Sequence, residues 1–176
     1  EPKLKNRCII INGVSKAYSM TGWRIGFAAG PAKIIAAMGI LQSQSTSNPT
    51  SISQAAAEAA LLGDQSCITP MLNAFKERHD FVVNAFNRIE GIDCIKAQGA
   101  FYSFPCAKNA IENLYKKNKI KHNNDIAFSE YLLETKGVAV VPGSSFGAEG
   151  YFRISFATSM DNLREALLRI KEAIEG

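Results

Sequence analysis

A lysine and an arginine stand in one short polar segment between two apolar runs of the sequence. Lys16 follows the apolar run Cys8–Ile11, and Arg24 comes eight residues later, directly before the run Ile25–Ala29. A lysine amine is nucleophilic only when it is neutral, and both burial and nearby positive charge lower its pKa. A lysine at the C-terminal end of a strand and close to a second cation therefore fits the chemistry of a Schiff-base lysine.

Ser15 adds a hydroxyl group to the same segment. A serine hydroxyl and the planar donor fork of Arg24 together suit a phosphate monoester. A lysine beside phosphate donors is what pyridoxal phosphate requires of its protein. The alternative is a loop lysine without a role, and composition alone favours that alternative.

A second candidate is an arginine inside a predicted strand, Tyr151–Phe156. Strand alternation puts Phe152, Ile154 and Phe156 on one face and Arg153 on the other. An arginine there is costly to bury unless a carboxylate or phosphate meets it. A substrate α-carboxylate is one possible partner of Arg153. A structural salt bridge to an Asp or Glu side chain is the other, and the residues alone favour it.

A third segment imitates a hydrolase motif. Gly143–Gly147 reads G-x-S-x-G directly after the predicted strand Val138–Val141, which would make Ser145 a nucleophile. The hydrolase turn, however, opens a helix and needs a histidine later in the chain. Both histidines, His79 and His122, come earlier. We therefore interpret this segment as a connection into the next strand.

Composition and charge exclude several classes of function. The chain has 176 residues, a net charge of +4, 47% hydrophobic and 20% charged residues, which is ordinary for a soluble protein. The basic segment Lys116–His122 is expected to be a solvated linker rather than a nucleic-acid contact. No apolar run approaches the roughly 18 residues that a membrane helix needs. The four cysteines contain no C-x-x-C pair, so we predict neither a zinc site nor disulfides, but buried reduced thiols in a cytoplasmic protein.

The hydrophobic patterning predicts an α/β protein. Strands are predicted at Arg7–Ile11, Ile25–Ala29, Asp93–Lys96, Ala100–Phe104, Val138–Val141 and Tyr151–Phe156. Helices are predicted at Pro31–Gln44, from Ser51 or Ser53 to Gly63, at Thr69–Ile89, Asn109–Lys117 and Asn124–Lys136, and after the N-cap Ser159. The long helix divides the chain into residues 1–66 and residues 67–176.

The segments Asn12–Lys16 and Met20–Gly26 resemble the cofactor-lysine motif of class I aminotransferases, the fold-type I pyridoxal-phosphate enzymes. The match is close to the bacterial aspartate aminotransferase branch. Further motifs of that family follow in the expected order: Ser47–Thr50, Gly99–Phe104, Val140–Gly143 and Phe152–Ser155. The resemblance implies that residues 1–66 form the C-terminal part of the large pyridoxal-phosphate-binding domain, a remnant of its mixed sheet. Residues 67–176 are then the long interdomain helix and the small α+β domain.

The resemblance also implies a role for each candidate residue. Lys16 forms the Schiff base with pyridoxal 5′-phosphate and moves the proton between the substrate α-carbon and the cofactor C4′. Ser15 and Arg24 hold the cofactor phosphate, and Arg153 clamps the substrate α-carboxylate. The Ser47–Asn48 loop lies at the interface of a homodimer. The implied reaction moves an amino group from an L-amino acid, most readily aspartate, to a 2-oxo acid such as 2-oxoglutarate.

The chain departs from the family pattern in two ways. Ser43 occupies the position at which animal-type aspartate aminotransferases have an arginine for the side-chain carboxylate. The chain also resembles only the C-terminal portion of such enzymes, so the aspartate that pairs with the pyridine nitrogen is expected N-terminal to Glu1. This chain alone is therefore expected to be inactive. A pyridoxal-phosphate-dependent lyase of the same fold and a non-catalytic isolated small domain remain as alternatives.

Overall fold

The computed structural model describes residues 2–176, which form two compact units, one ending at Met71 and one beginning at Leu72. The first unit contains strands β1 (Ile10–Gly13) and β2 (Gly26–Ala29) and helices α1 (Ala32–Ser45) and α2 (Ser51–Leu62). Helix α3 (Ile68–Phe86) begins in the first unit and continues in the second. The second unit adds β3 (Tyr102–Ser103), α4 (Lys108–Lys116), α5 (Asp125–Lys136), β4 (Val141–Pro142), β5 (Phe152–Ser155) and α6 (Met160–Glu175). The predicted α/β class is confirmed.

The first unit is built on an antiparallel ribbon of β1 and β2. Ile10 lies opposite Ala29 and Gly13 lies opposite Gly26. The first strand was predicted at Arg7–Ile11, but the observed strand begins and ends later. The reason is that its bounds are set by its partner β2, whereas the apolar run reports only the polarity of the side chains.

The first unit buries little apolar surface. Among its described side chains, Val14 and Ala57 are the only apolar ones that are buried, and α1 has no buried residue. Its exposed large apolar side chains are Leu4, Ile9, Ile10, Ile11, Trp23, Phe27, Ile34, Met38, Ile40, Leu41, Ile52, Leu61 and Leu62. Apolar surface of this extent is normally covered by other protein.

The second unit is built on an antiparallel sheet in the order β3-β5-β4, with β5 at its centre. Tyr102 lies opposite Ser155, and Val141 lies opposite Arg153. The flanking strands are shorter than predicted, and the strand expected at Asp93–Lys96 makes only a single bridge, between Asp93 and Cys106. The bounds of β3 and β4 follow from their pairing with β5, which itself spans only Phe152–Ser155.

The core of the second unit packs helices against one face of this sheet. The ring of Phe152 meets the rings of Phe86 and Phe128 at centroid distances of 5.5 and 5.4 Å, and all three side chains are fully buried. Each such burial is worth about 1.5–3 kcal/mol. Helix α6 starts as predicted, with the Ser159 hydroxyl accepting a hydrogen bond from the Asn162 N–H at 3.2 Å. Its predicted inner face is buried and consists of Leu163, Leu167, Ile170 and Ile174.

The expectation of buried thiols is wrong for most of the cysteines. Cys94 is buried, Cys106 is half-buried, and Cys8 and Cys67 are exposed, all four being free. Cys8 belongs to the unit that covers few of its apolar side chains, and Cys67 precedes α3 in a turn. Burial raises the pKa of the Cys94 thiol, although a hydrogen bond with Ser103 acts in the opposite direction. None of the helices in residues 2–176 is both long and apolar enough to span a membrane.

Candidate active site

The connection between β1 and β2 holds three of the predicted site residues, namely Ser15, Lys16 and Arg24. Val14 is buried, Ser15 is half-buried and Lys16 is exposed. The Met20 N–H donates to the Ser15 carbonyl at 3.1 Å, and the Ser19 N–H donates to the Lys16 carbonyl at 3.2 Å. These backbone bonds fold the segment after Lys16 into a tight turn, so Ser15 and Lys16 are carried by ordered backbone.

Arg24 ends the same connection in an unusual backbone conformation. It follows the 3₁₀ helix Thr21–Trp23 with φ 50° and ψ 50°, in the left-handed region that side chains other than glycine rarely adopt. Its Nη1 donates to the Thr21 carbonyl at 2.9 Å. The buried Ser53 hydroxyl donates to the Trp23 carbonyl at 2.7 Å and so fastens the turn to α2. Such strain persists where surrounding contacts fix it, and it is common at functional sites.

The Arg153 side chain lies over two aromatic rings. Its guanidinium carbon is 4.3 Å from the ring centroid of Tyr102 and 4.6 Å from that of Phe146. The residue is half-buried on the central strand β5. Within residues 2–176 no ion pair joins Arg153 to an Asp or Glu side chain. The alternative that Arg153 forms a structural salt bridge to an Asp or Glu side chain is therefore wrong for this part of the chain.

A buried carboxylate holds the segment that carries Phe146. Asp125, the first residue of α5, is 1% exposed. Its Oδ2 accepts the Ser144 N–H at 2.7 Å and its Oδ1 accepts the Gly150 N–H at 3.3 Å. Burial would raise the pKa of this carboxyl, but the hydrogen bonds from Ser144 and Gly150 outweigh burial and hold the pKa below its ordinary value. This anchor could not be predicted from sequence patterns, because its partners are distant in the chain.

The G-x-S-x-G segment is a 3₁₀ helix, Gly143–Phe146, that leads towards β5. The Gly143 N–H donates to the Tyr151 carbonyl at 2.8 Å, and a Cβ at Gly143 would collide with the Ala148 backbone oxygen. Ser145 is exposed and does not open an α-helix. The interpretation of this segment as a connection agrees with the structure.

His79 has a structural environment. Its Nε2 accepts the Ala97 N–H at 3.0 Å, and its Nδ1 lies 3.2 Å from Asp80 Oδ1. The described residues contain no group of three or more side chains placed to hold a metal ion. These two contacts give His79 a structural role in the second unit.

The chain belongs to the aminotransferase class I and II family, whose model matches residues 1–170. It is 60% identical over 169 residues to the aspartate/prephenate aminotransferase of Nitrosomonas europaea, covering 96% of this chain and 43% of that protein. It is 51% identical over 175 residues to an aspartate aminotransferase of Rhizobium meliloti, covering 99% of this chain and 42% of that protein. The crystal structure of the aspartate aminotransferase from Rhizobium meliloti superposes with a TM-score of 0.93 at 49% identity, over 99% of this chain and 44% of that one.

The resemblance to fold-type I aminotransferases is thus confirmed. The chain spans less than half the length of the curated relatives that it matches. The structure brings Ser15, Lys16 and Arg24 into one connection of the first unit and places Arg153 in the second unit. The roles of these four residues, and the assignment of residues 1–66 to a large cofactor-binding domain, remain predictions.

Proposed function

We propose that the whole protein transfers an amino group from an L-amino acid, aspartate foremost, to a 2-oxo acid with pyridoxal phosphate as its cofactor. The observation that carries this proposal is Arg153, a half-buried guanidinium over two rings with no carboxylate partner in residues 2–176. A cation in such a setting suits an anionic ligand, and an α-carboxylate matches its planar fork. The names of the relatives support the same reaction.

The donor set of the β1–β2 connection fits the cofactor. A hydroxyl at Ser15, an amine at Lys16 and a guanidinium at Arg24 occur on one ordered segment, and the first and third suit a phosphate ester dianion. Lys16 would hold the cofactor covalently through Nζ. When bound, pyridoxal phosphate supplies an electron sink for the substrate α-carbon.

Each of the candidate side chains has a separate role in the proposed reaction. Lys16 Nζ would move the proton between the substrate α-carbon and the cofactor C4′, first as a general base and then as a general acid. Arg153 fixes the plane of the carboxylate, which limits the orientations of the α-carbon and so lowers the entropic cost of the reaction. Arg24 and Ser15 bind the cofactor phosphate and so keep the cofactor beside Lys16.

The assembly proposed for the whole protein is a homodimer with the Ser47–Asn48 loop at its interface. Ser47 is exposed and has a left-handed backbone with φ 66°. Pro49 follows and its carbonyl accepts a hydrogen bond from Gln54 at 2.9 Å, which ties the loop to α2. An exposed loop held in this way is suited to contact a second subunit. Native mass measurement of the whole protein tests the dimer.

Amino transfer from aspartate to 2-oxoglutarate by the whole protein, supplied with pyridoxal phosphate, tests the function. We expect glutamate and oxaloacetate in equal amounts and a large rise in KM for both substrates in Arg153→Lys. The matched control is Arg169→Lys, which changes an exposed arginine of α6. Ammonia release that needs no 2-oxo acid would instead support a lyase of the same fold. Absence of any turnover and of cofactor binding would support a non-catalytic domain.

A further inference from the structure

We propose that Tyr102 and Phe146 form an aromatic clamp. Their rings hold the Arg153 guanidinium in an orientation that leaves its N–H edge to bind one carboxylate group. The inference rests on the proposed function and deepens it, because it names the residues that make Arg153 selective. Tyr102 and Phe146 are positioning residues, since they act on the ligand through Arg153.

The sheet brings the first ring to Arg153. Tyr102 on β3 pairs with Ser155 on β5, two residues beyond Arg153, so Tyr102 and Arg153 are diagonal neighbours on one face. The ring centroid of Tyr102 also lies 4.4 Å from that of Phe101. The Tyr102 ring is therefore fixed by both backbone pairing and an adjacent ring.

The second ring comes from the 3₁₀ helix that precedes β5. Phe146 is 49% exposed, yet its ring meets the ring of Phe104 edge-to-face at a centroid distance of 5.9 Å. The buried carboxylate of Asp125 accepts the N–H of Ser144, two residues before Phe146. Phe146 is exposed, contacts the guanidinium group and lies on a segment held by Asp125. We therefore assign its ring to the positioning of Arg153 rather than to the hydrophobic core.

Contact with two rings restricts the guanidinium group in two ways. The ring faces attract the cation, and they remove water from the surfaces that they cover. The N–H edges of the fork then remain for a ligand, and a planar carboxylate binds such an edge through two parallel hydrogen bonds. A lysine at this position would lack both the planar stacking and the fork.

Kinetics of the whole protein test the clamp. In Tyr102→Leu and in Phe146→Leu we expect KM for aspartate and for 2-oxoglutarate to rise about 3- to 30-fold with kcat nearly unchanged, because uniform binding is lost. Tyr102→Phe keeps the ring and should keep the KM of the unmodified protein. Tyr115→Leu, which removes an exposed ring on α4, is the matched control for loss of an aromatic side chain.

A spectroscopic measurement separates the clamp from the activity. With ¹⁵N-labelled arginine, the Nε–Hε signal of Arg153, assigned through Arg153→Lys, should be displaced by the ring currents and should move part of the way to the ordinary arginine position in each leucine variant, because each removes one of the two rings. An undisplaced signal, or leucine variants with unchanged KM while Arg153→Lys is impaired, would overturn the clamp and leave the proposed function standing. A displaced signal in a protein that transfers no amino group would overturn the proposed function and with it the clamp's role towards substrate.

Discussion

The guanidinium carbon of Arg153 lies 4.3 Å from the ring centroid of Tyr102, although the two residues are far apart in sequence. The contact follows from the register of β3 against β5, which places both side chains on one face of the sheet. The candidate carboxylate-binding group is therefore positioned by regular secondary structure. Sites on strands hold their geometry more closely than sites on loops.

Two serines in different settings should differ in their effect on cofactor affinity. Ser15→Ala removes a half-buried hydroxyl from the β1–β2 connection, and we expect the Kd for pyridoxal phosphate to rise about tenfold, because a hydrogen bond to a charged group is lost. Ser145→Ala, in the exposed G-x-S-x-G segment, should leave Kd and turnover unchanged. Fluorescence titration of the whole protein with the cofactor measures both. Equal effects of the two substitutions would argue against the assigned phosphate site.

Removal of the buried carboxylate of Asp125 should destabilise the second unit. Asp125→Asn replaces a charged oxygen acceptor by an amide that cannot accept from both the Ser144 and Gly150 N–H groups. We expect the free energy of unfolding to fall by about 1–3 kcal/mol. Urea unfolding measures this, with Asp161→Asn as control, since the Asp161 side chain is 91% exposed. If the free energy of unfolding fell no further in Asp125→Asn than in Asp161→Asn, the anchoring role of Asp125 would be contradicted.

Asp125 should also contribute to the acid sensitivity of the protein. Its pKa is lowered in the folded state, so the unfolded state binds the proton first as pH falls. The stabilisation is complete above the unfolded pKa of about 4 and is lost as pH falls through the folded pKa. Urea unfolding between neutral and acid pH should show a shallower loss of stability in Asp125→Asn. Parallel curves for the two proteins would show that Asp125 does not take part.

The first unit should be the less protected part of residues 1–176 when they are prepared by themselves. Its described apolar side chains are almost all accessible, whereas α6 has a buried face. Hydrogen exchange should therefore be fast in β1 and α1 and slow in α5 and α6. We also expect negligible amino transfer from this preparation. Equal protection in the two units, or robust turnover, would contradict the expectation.

Local patterns predicted much of the fold. Alternation around Arg153 identified the buried faces of Phe152 and Ile154, and the Ser159 cap located the start of α6. These features depend on residues that are close in sequence, so periodicity and capping rules report them. The connection that carries Lys16 and Arg24 was found for the same reason.

Long-range features could not be predicted in this way. The bounds of β1 depend on β2, and the exposure of Cys8 and Cys67 depends on what covers the first unit. Tyr102, Phe146 and Asp125 matter through partners that the sheet register and the loop bring to them. Sequence alone gives residue types but not these pairings, so Arg153 was found while the groups that position it were missed.

The site of covalent cofactor attachment tests the account most directly. The whole protein is incubated with pyridoxal phosphate, reduced with borohydride, digested and mapped by mass spectrometry, alongside Lys16→Ala and the control Lys33→Ala, which changes an exposed lysine of α1. We predict one pyridoxyl label, on Lys16, that is absent from Lys16→Ala and retained in Lys33→Ala. A stoichiometric label on another lysine, or a label that survives Lys16→Ala, would contradict the assignment of Lys16 as the cofactor-binding lysine.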